Sequence, residues 1–303
     1  MEILGKTNID FIGKRNIAFV ISSIIAIIGI IGIIQIGRGA ANMGIDFSGG
    51  TAMQLKFSKP FSIADARAAL HKHGIAKADL QEIKDGNMLL VKMAGAAVGK
   101  PSAMVQEAFK AEFADNSFTV ESSTEIGPSI GDKLRKDTLI AVVLSLLGII
   151  IYIAWRFDFK FGIGATLATM HDVLAMIAVF YLLNKEINLL FITALLTIAG
   201  YSLTDTVVIF DRIRENLHKN LKGAMHNIFN SSINEVLSRT IITSLTTFMA
   251  AGALFFFGGE VIHDFSLALL IGIGVATYSS VFVASPIVVI LENRALTKKV
   301  KTA

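Results

Sequence analysis

The chain has no cysteine among its 303 residues. No disulfide can staple an exported part, and thiolate chemistry is excluded. Charge is scarce as well: Asp, Glu, Lys and Arg make up 17% of the residues, against about 25% in an ordinary soluble chain, and they occur in clusters. No basic stripe interleaved with aromatic residues is present, so nucleic acid is not expected as a partner. A complete phosphate-binding loop is also missing. The segment Ala94-Gly95-Ala96-Ala97-Val98-Gly99-Lys100-Pro101 imitates one, but the motif requires Gly at its first position and Ser or Thr after the Lys. No other nucleotide site is visible, and the chain is expected not to hydrolyse ATP itself.

What the chain has in abundance is apolar length. Apolar residues make up 53% of it, and its mean hydropathy is +0.63. A bilayer core about 30 Å thick needs about 20 apolar residues in a helix. Six stretches qualify: 17–36, 138–155, 161–183, 187–210, 240–258 and 265–291. The first is too long for a signal-peptide core, which runs about 7–15 residues, and is expected to stay as an anchor.

Lys and Arg in the short loops predict the orientation. Lys6, Lys14 and Arg15 precede the first span. Arg156 and Lys160 lie between the second and third. Arg212, Arg214, Lys219 and Lys222 follow the fourth, and Arg294, Lys298, Lys299 and Lys301 follow the sixth. The other side carries only Lys185 in its short loops. Both termini are therefore expected in the cytoplasm. The expected organisation is a cytoplasmic N-terminus and first span (1–36), an exported domain (37–137), spans two to six (138–291) and a cytoplasmic tail (292–303). Residues 216–238 read as a cytoplasmic amphipathic helix lying against membrane or bundle.

The exported stretch alternates between element types. Residues 51–57 alternate like a strand. Ser62 opens a helix, with Asp65 as its capping-box partner, and Gly74 ends it. Residues 80–84 and 87–93 read as strands joined at Asp85-Gly86, a hairpin signal. Pro101 and Ser102 open a second helix to about 113, and 117–122 is a last strand. The order βαββαβ is the ferredoxin-like pattern. The expected fold class is thus a six-helix membrane bundle with an inserted α+β domain.

Ionisable residues inside a span cost about 2.5–3.5 kcal/mol at the centre on insertion scales and default to functional candidates. Asp205 sits in Gly200-Tyr201-Ser202-Leu203-Thr204-Asp205, with Tyr201 and Ser202 on its helical face. It is either a proton relay or a hydrogen-bonded packing residue. Arg239 opens the fifth span, ahead of hydroxyls that include Thr243 and Ser244. It is either the counter-ion of Asp205 or a side chain snorkelling to the headgroups. His171 and Asp172, near mid-depth in the third span, point about 100° apart on a helix and so are not expected to face one spot. They form either a relay step or a structural node, and a metal site is disfavoured for want of a third ligand. Gly148, Gly252, Gly272, Gly274, Ala276 and Ser280 read as sites of close helix approach.

Several segments together resemble one family. They are Gly44-Ile45-Asp46-Phe47-Ser48-Gly49-Gly50-Thr51, Gly127-Pro128-Ser129-Ile130-Gly131, Trp155-Arg156-Phe157, His171-Asp172-Val173, the Gly200-to-Asp205 block with Asp211-Arg212-Ile213-Arg214-Glu215-Asn216, Leu237-Ser238-Arg239-Thr240 and Tyr278-Ser279-Ser280. In order and placement they resemble the SecF family of protein-export membrane proteins, within the resistance-nodulation-division superfamily. The resemblance implies a multi-pass protein of the bacterial inner membrane with residues 37–137 in the periplasm. It implies SecD, the Sec translocon channel, the translocating preprotein and lipid as partners. It implies no bound cofactor, protons as the coupling ion, and help to late export steps after an ATP-driven motor has acted.

Asp205 matches the family's intramembrane acid and Arg239 its conduction-associated arginine. Thr204 stands where many relatives have Asn. The turn formed by Gly44, Asp46, Gly49 and Gly50 is read as structural, a tight turn or hinge into the first strand. A half-transporter of the same superfamily moving lipids or small molecules, and a passive scaffold, are the competing readings.

Overall fold

The structure is a computed structural model and describes residues 7–75, 78–83, 87–94, 101–219 and 224–302. Six of its helical segments are long and apolar enough to cross a membrane. The chain divides into two compact units.

One unit comprises Met1–Asn42, Val142–Lys185 and Leu190–Ala303. Its helices are α1 (Arg15–Gly37), most of α5 (Pro128–Arg156), α6 (Phe159–Leu182), α7 (Leu189–Lys219), α8 (Met225–Phe257), α9 (Glu260–Ser279) and α10 (Ser285–Thr302). A π turn over Ser280–Ala284 joins the last two into a single crossing. Phe157, Phe161 and Phe210 form a core with Ile209, Ile213, Phe229 and Ile233. Phe11 and Ile12, which precede α1, join it. Asn230 Oδ1 accepts from their backbone N–H groups at 3.0 and 3.1 Å, and its Nδ2 donates to Asp10. Asn234 exchanges two hydrogen bonds with the backbone of Ile9.

The spans stand where hydropathy places them, but several helices outrun their apolar stretches. Helix α5 starts at Pro128, ahead of Asp132, Lys133, Arg135, Lys136 and Asp137. The 216–238 segment is not one separate helix. Its first residues finish α7, and from Met225 α8 runs unbroken into the fifth span. Backbone hydrogen bonding continues through polar residues that a hydropathy window ends on.

Close helix approach also falls on other glycines than expected. A Cβ on Gly29 of α1 would lie 2.3 Å from the Leu174 carbonyl of α6, and one on Gly164 would lie 2.6 Å from Val288. Gly272 packs on Ile198 as expected. Gly148, Gly252 and Gly274 face open space, because which face of a helix meets a neighbour is set by its rotation.

The other unit is Met43–Ala141 with Glu186–Leu189. Helix α2 (Ile45–Ser48) leads into β1 (Gly50–Phe57). Then come α3 (Ile63–Lys72), β2 (Asp79–Ile83), β3 (Met88–Ala94), α4 (Pro101–Glu112) and β4 (Phe118–Ile126). All pairings are antiparallel, in the order β2-β3-β1-β4, and the β1–β4 register shifts between Gln54 and Leu55. Alternation along β1 and β3 sends Met53, Leu55, Phe57, Leu89 and Val91 into one core with Ala66, Leu70, Val105 and Phe109 of the helices. Ser62 caps α3 by accepting from Ala64 N–H at 3.1 Å. The Asp85-Gly86 turn and most of the 94–101 loop lie outside the described residues.

Candidate functional site: two buried carboxylates between the helices

Helix α7 carries the acid singled out above. Asp205 is 6% exposed, and Ser244 Oγ of α8 donates to its Oδ2 at 3.3 Å. Ser244 in turn stands 2.8 Å from Thr277 Oγ1 of α9, whose single proton is shared with Ile273 O, also at 2.8 Å, and accepts from the Tyr201 hydroxyl at 3.3 Å. A hydroxyl has one proton to donate, and Ser244 spends its own on the carboxylate. One file of hydroxyls thereby links α7, α8 and α9 at Asp205.

Not every residue expected here arrives. Among the described residues no ion pair joins Arg239 to Asp205, and Arg239 is exposed. Thr243 donates back along its own helix, to Arg239 O at 3.1 Å and Thr240 O at 2.9 Å. Thr246 and Thr247 do the same, so the hydroxyl face of α8 is largely self-satisfied. Thr204 is exposed and donates to Gly200 O at 3.2 Å. Neighbouring Thr240 is buried, and its Oγ1 has no partner.

Ser202 serves another acid. Its Oγ donates to Asp172 Oδ2 of α6 at 2.5 Å, and Ser279 Oγ of α9 donates to the same oxygen at 2.8 Å. His171 Nδ1 stands 3.1 Å from Asp172 Oδ1. Their helical directions differ by about 100°, but both side chains bend to meet, which corrects the expectation that they serve separate spots. Asp172 is fully buried and ties α6, α7 and α9 together. His171 Nε2 is buried without a partner, while the ring lies 6.2 Å from that of Tyr278. Tyr278 donates to Ala18 O of α1 at 3.0 Å. Among the described residues, no three His, Cys, Asp or Glu side chains cluster as a metal site requires.

The polar run after Asp205 is held by ion pairs. Arg156 meets both oxygens of Asp211 at 3.0 Å. Arg212 bonds Glu235 at 2.5 Å and Glu215 at 2.6 Å, and Asn216 bonds Ser232 at 2.9 Å. The Arg212–Glu235 and Asn216–Ser232 contacts join the end of α7 to the first part of α8, and Arg156 ties α5 to α7. Ser244, Thr277 and Ser279 were not singled out as site residues. Ser244 was signalled only by the hydroxyl run of the fifth span and Ser279 only by the Tyr278-Ser279-Ser280 block, while nothing marked Thr277.

The family model for "Protein export membrane protein SecD/SecF, C-terminal" matches residues 105–294, and the SecD/SecF GG motif matches 41–61. This chain belongs to the SecD/SecF family. It is 55% identical to a protein translocase subunit SecF from Thermodesulfovibrio yellowstonii, over 99% of this chain and 100% of that protein. A second such subunit, from Calditerrivibrio nitroreducens, is 40% identical over 96% of each chain. Among solved structures, SecDF of Thermus thermophilus, described as a translocon-associated membrane protein, superposes with a TM-score of 0.83 at 35% identity. The match covers 95% of this chain but 39% of that one, so this chain spans about two fifths of the solved SecDF chain. The GG motif is the α2 turn. Gly49 has φ +69°, and a Cβ on Gly50 would stand 2.1 Å from Met93 O, so β1 can meet β3 there only through glycine.

Proposed function

We propose that this chain is an auxiliary subunit of the Sec protein translocase, in which Asp205 responds to the proton gradient during late steps of polypeptide export. Family membership supports export over the alternative of a small-molecule half-transporter. The observation that carries the proton reading is Asp205 itself. It is a carboxylate buried between apolar helices with one hydroxyl donor, where a charge at rest would gather several. Gain and loss of its proton changes whether Ser244 must spend its hydrogen on α7, and so biases two arrangements of α7, α8 and α9. Arg239 supplies a positive field from the fifth span. His171 and Asp172 are read as a packing node beside this path, one turn of α7 away from Asp205 through Ser202.

The partner in this reading is a SecD-type chain supplying the rest of the helix bundle, in keeping with the two-fifths share of SecDF that this chain covers. The pair works in the bacterial inner membrane beside the translocon channel, in contact with lipid and with the translocating preprotein. Both termini are cytoplasmic, and the antiparallel sheet with α3 and α4, taken as a ferredoxin-like domain, is periplasmic. The chain is a transport subunit using protons and no bound cofactor, with ATP consumed elsewhere.

Membrane vesicles containing the translocase and an imposed proton gradient provide the test. Asp205→Asn keeps the size and a hydrogen-bonding head but cannot change charge. Stimulation of export by the gradient is expected to vanish, while the variant accumulates and copurifies with its partner as before. Unchanged stimulation in that variant rules out the proton role.

A further inference from the structure

Within the helical unit, α8 connects the beginning of the chain to the acid. His226, Asn230, Ile233, Leu237, Thr240 and Ser244 follow one another at alternating steps of four and three, which is one stripe of a helix. The first of them hold the segment ahead of α1. Asn230 and Asn234, one turn apart, bond the backbone of Ile9, Phe11 and Ile12. His226 stands 3.1 Å from Asp10, and both side chains are half-exposed. Residues 9–12 have neither helix nor strand of their own, so these side chains supply the partners that the backbone requires.

Behind this clasp lies an apolar layer. Phe11 and Ile12 are buried in the core that Phe229, Ile233 and Leu237 of α8 share with Ile209 and Ile213 of α7. Phe11 also meets the ring of Phe282 in the π turn edge-on, with centroids 5.5 Å apart. The other buried members of the core stand on spanning helices or, for Phe157, in the short link between two of them. Beyond the layer comes Thr240, and one turn later Ser244, the donor to Asp205. Thr240 is 2% exposed and its Oγ1 has no partner, whereas Thr243, Thr246 and Thr247 return theirs to their own helix. A buried hydroxyl left unbonded is costly, and water arriving in a second state of the bundle would satisfy it. From Asn230 to Ser244 is fourteen positions, about 21 Å of helix. On α7, Tyr201 precedes Asp205 while Ile209 and Ile213 follow it. Hydroxyls thus approach the acid from one end of the bundle, and a dry layer closes it from the other.

We propose that residues 9–12 are a strap that gates water access to Asp205 from the end of the bundle where the chain begins. With the clasp closed, Phe11 and Ile12 complete the apolar layer and exclude water, as hydrophobic constrictions do. With the clasp released, the two side chains withdraw and water enters as far as Thr240. The strap's part in export rests on the proton-driven reading above; its control of water entry does not.

The test uses the full chain with a cysteine-free partner in vesicles. This chain has no cysteine, so Thr240→Cys places a single thiol behind the apolar layer. A membrane-impermeant methanethiosulfonate supplied on the side of the N-terminus reads water access to it. Asn230→Ala with Asn234→Ala removes the clasp and is expected to speed labelling about tenfold or more, since local opening then breaks several fewer hydrogen bonds. Phe11→Ala, which empties the plug and leaves the clasp, is expected to do the same. Supplied from the opposite side, the reagent is expected to label neither variant faster than the parent. Unchanged labelling from the N-terminal side, or equal acceleration from both sides, overturns the gate. In a second arm, without Thr240→Cys, D10C and H226C are joined by a short bis-methanethiosulfonate, which holds the strap shut. Gradient-stimulated export is expected to fall to its level without a gradient and to return when a reductant cuts the bridge, while ATP-driven export continues throughout. Stimulation that persists with the bridge closed makes the strap a static seal and overturns the proposal. If the clasp and plug variants fail to accumulate, the bridged pair decides alone. Should Asp205→Asn keep its stimulation, the proton reading falls, yet labelling at position 240 still judges the strap.

Discussion

Asp172 and Asp205 lie on adjacent helices, and a single turn of α7 separates Ser202, which serves the first, from the second. Asp172 is fully buried and faces two serine hydroxyls and an imidazole contributed by α6, α7 and α9. Asp205 has one donor, at 3.3 Å. A carboxylate bonded to several helices at once holds them together, and one with a single long bond constrains its neighbours little. The difference gives the first acid the part of a packing node and leaves the second as the acid of the proposed proton role, although both are the same residue in equally apolar sequence.

The largest effect expected from this contrast is on assembly. Asp172→Ala leaves Ser202, Ser279 and His171 without their common acceptor, and is expected to cost about 3 kcal/mol or more. Unfolding in graded denaturing detergent should show it, alongside reduced accumulation. Normal stability combined with lost gradient stimulation would instead exchange the roles of the two acids. A smaller effect belongs to Ser244→Ala. It removes the donor to Asp205 and the acceptor of Thr277 and Tyr201, and should cost about 1 kcal/mol, as interhelical hydroxyl bonds in membranes do. Gradient-stimulated export should drop in that variant without being abolished, and a rate equal to the parent's would remove Ser244 from the path.

The smallest effect lies at the N-terminal clasp, outside the membrane. The Gly13 N–H and the Asn230 side chain hold the Asp10 carboxyl below its usual value, with His226 adding to the same direction. Because the folded-state value is depressed, the clasp's contribution is present above the ordinary carboxylate pKa of about 3.9. It is lost as pH falls through the depressed value. Amide protection at Phe11 and Ile12, measured against the intrinsic exchange rate at each pH, should therefore fall at acidic pH in the parent. In Asp10→Asn that dependence should be absent.

Sequence alone located the six spans, the element order of the sheet unit and Asp205, since each depends on hydropathy or on a costly residue within it. The lengths of α5 and α8 were hidden, because charged residues such as Asp132 and Lys133 continue a helix that hydropathy has already ended. The pairing of hydroxyls with carboxylates was hidden as well. Ser202 and Asp205 share a face by spacing, yet Ser202 turns to Asp172, a choice made by how α6 is rotated against α7. Arg239 was legible as a cation near the acid, but its distance from Asp205 depends on where α8 sits along its axis. The bond from the Leu189 N–H to the Asp46 carboxylate was beyond reach for another reason, since nothing local marks a contact between residues so far apart in the chain.

The π turn at Ser280–Ala284 gives the sixth crossing a particular character. The backbone bonds of this turn reach five residues back, where an α-helix bonds four back, and Ser285 Oγ also donates to the carbonyl of Ser280. One residue is thus out of step, and the rows of side chains before and after it do not line up along a common stripe. Ser279 presents its hydroxyl to Asp172 and Thr277 meets Ser244 from one side of this dislocation, while Val288 and Val289 fill the aromatic core from the other. A single crossing thereby behaves as two half-helices in series, each free to choose its own neighbours.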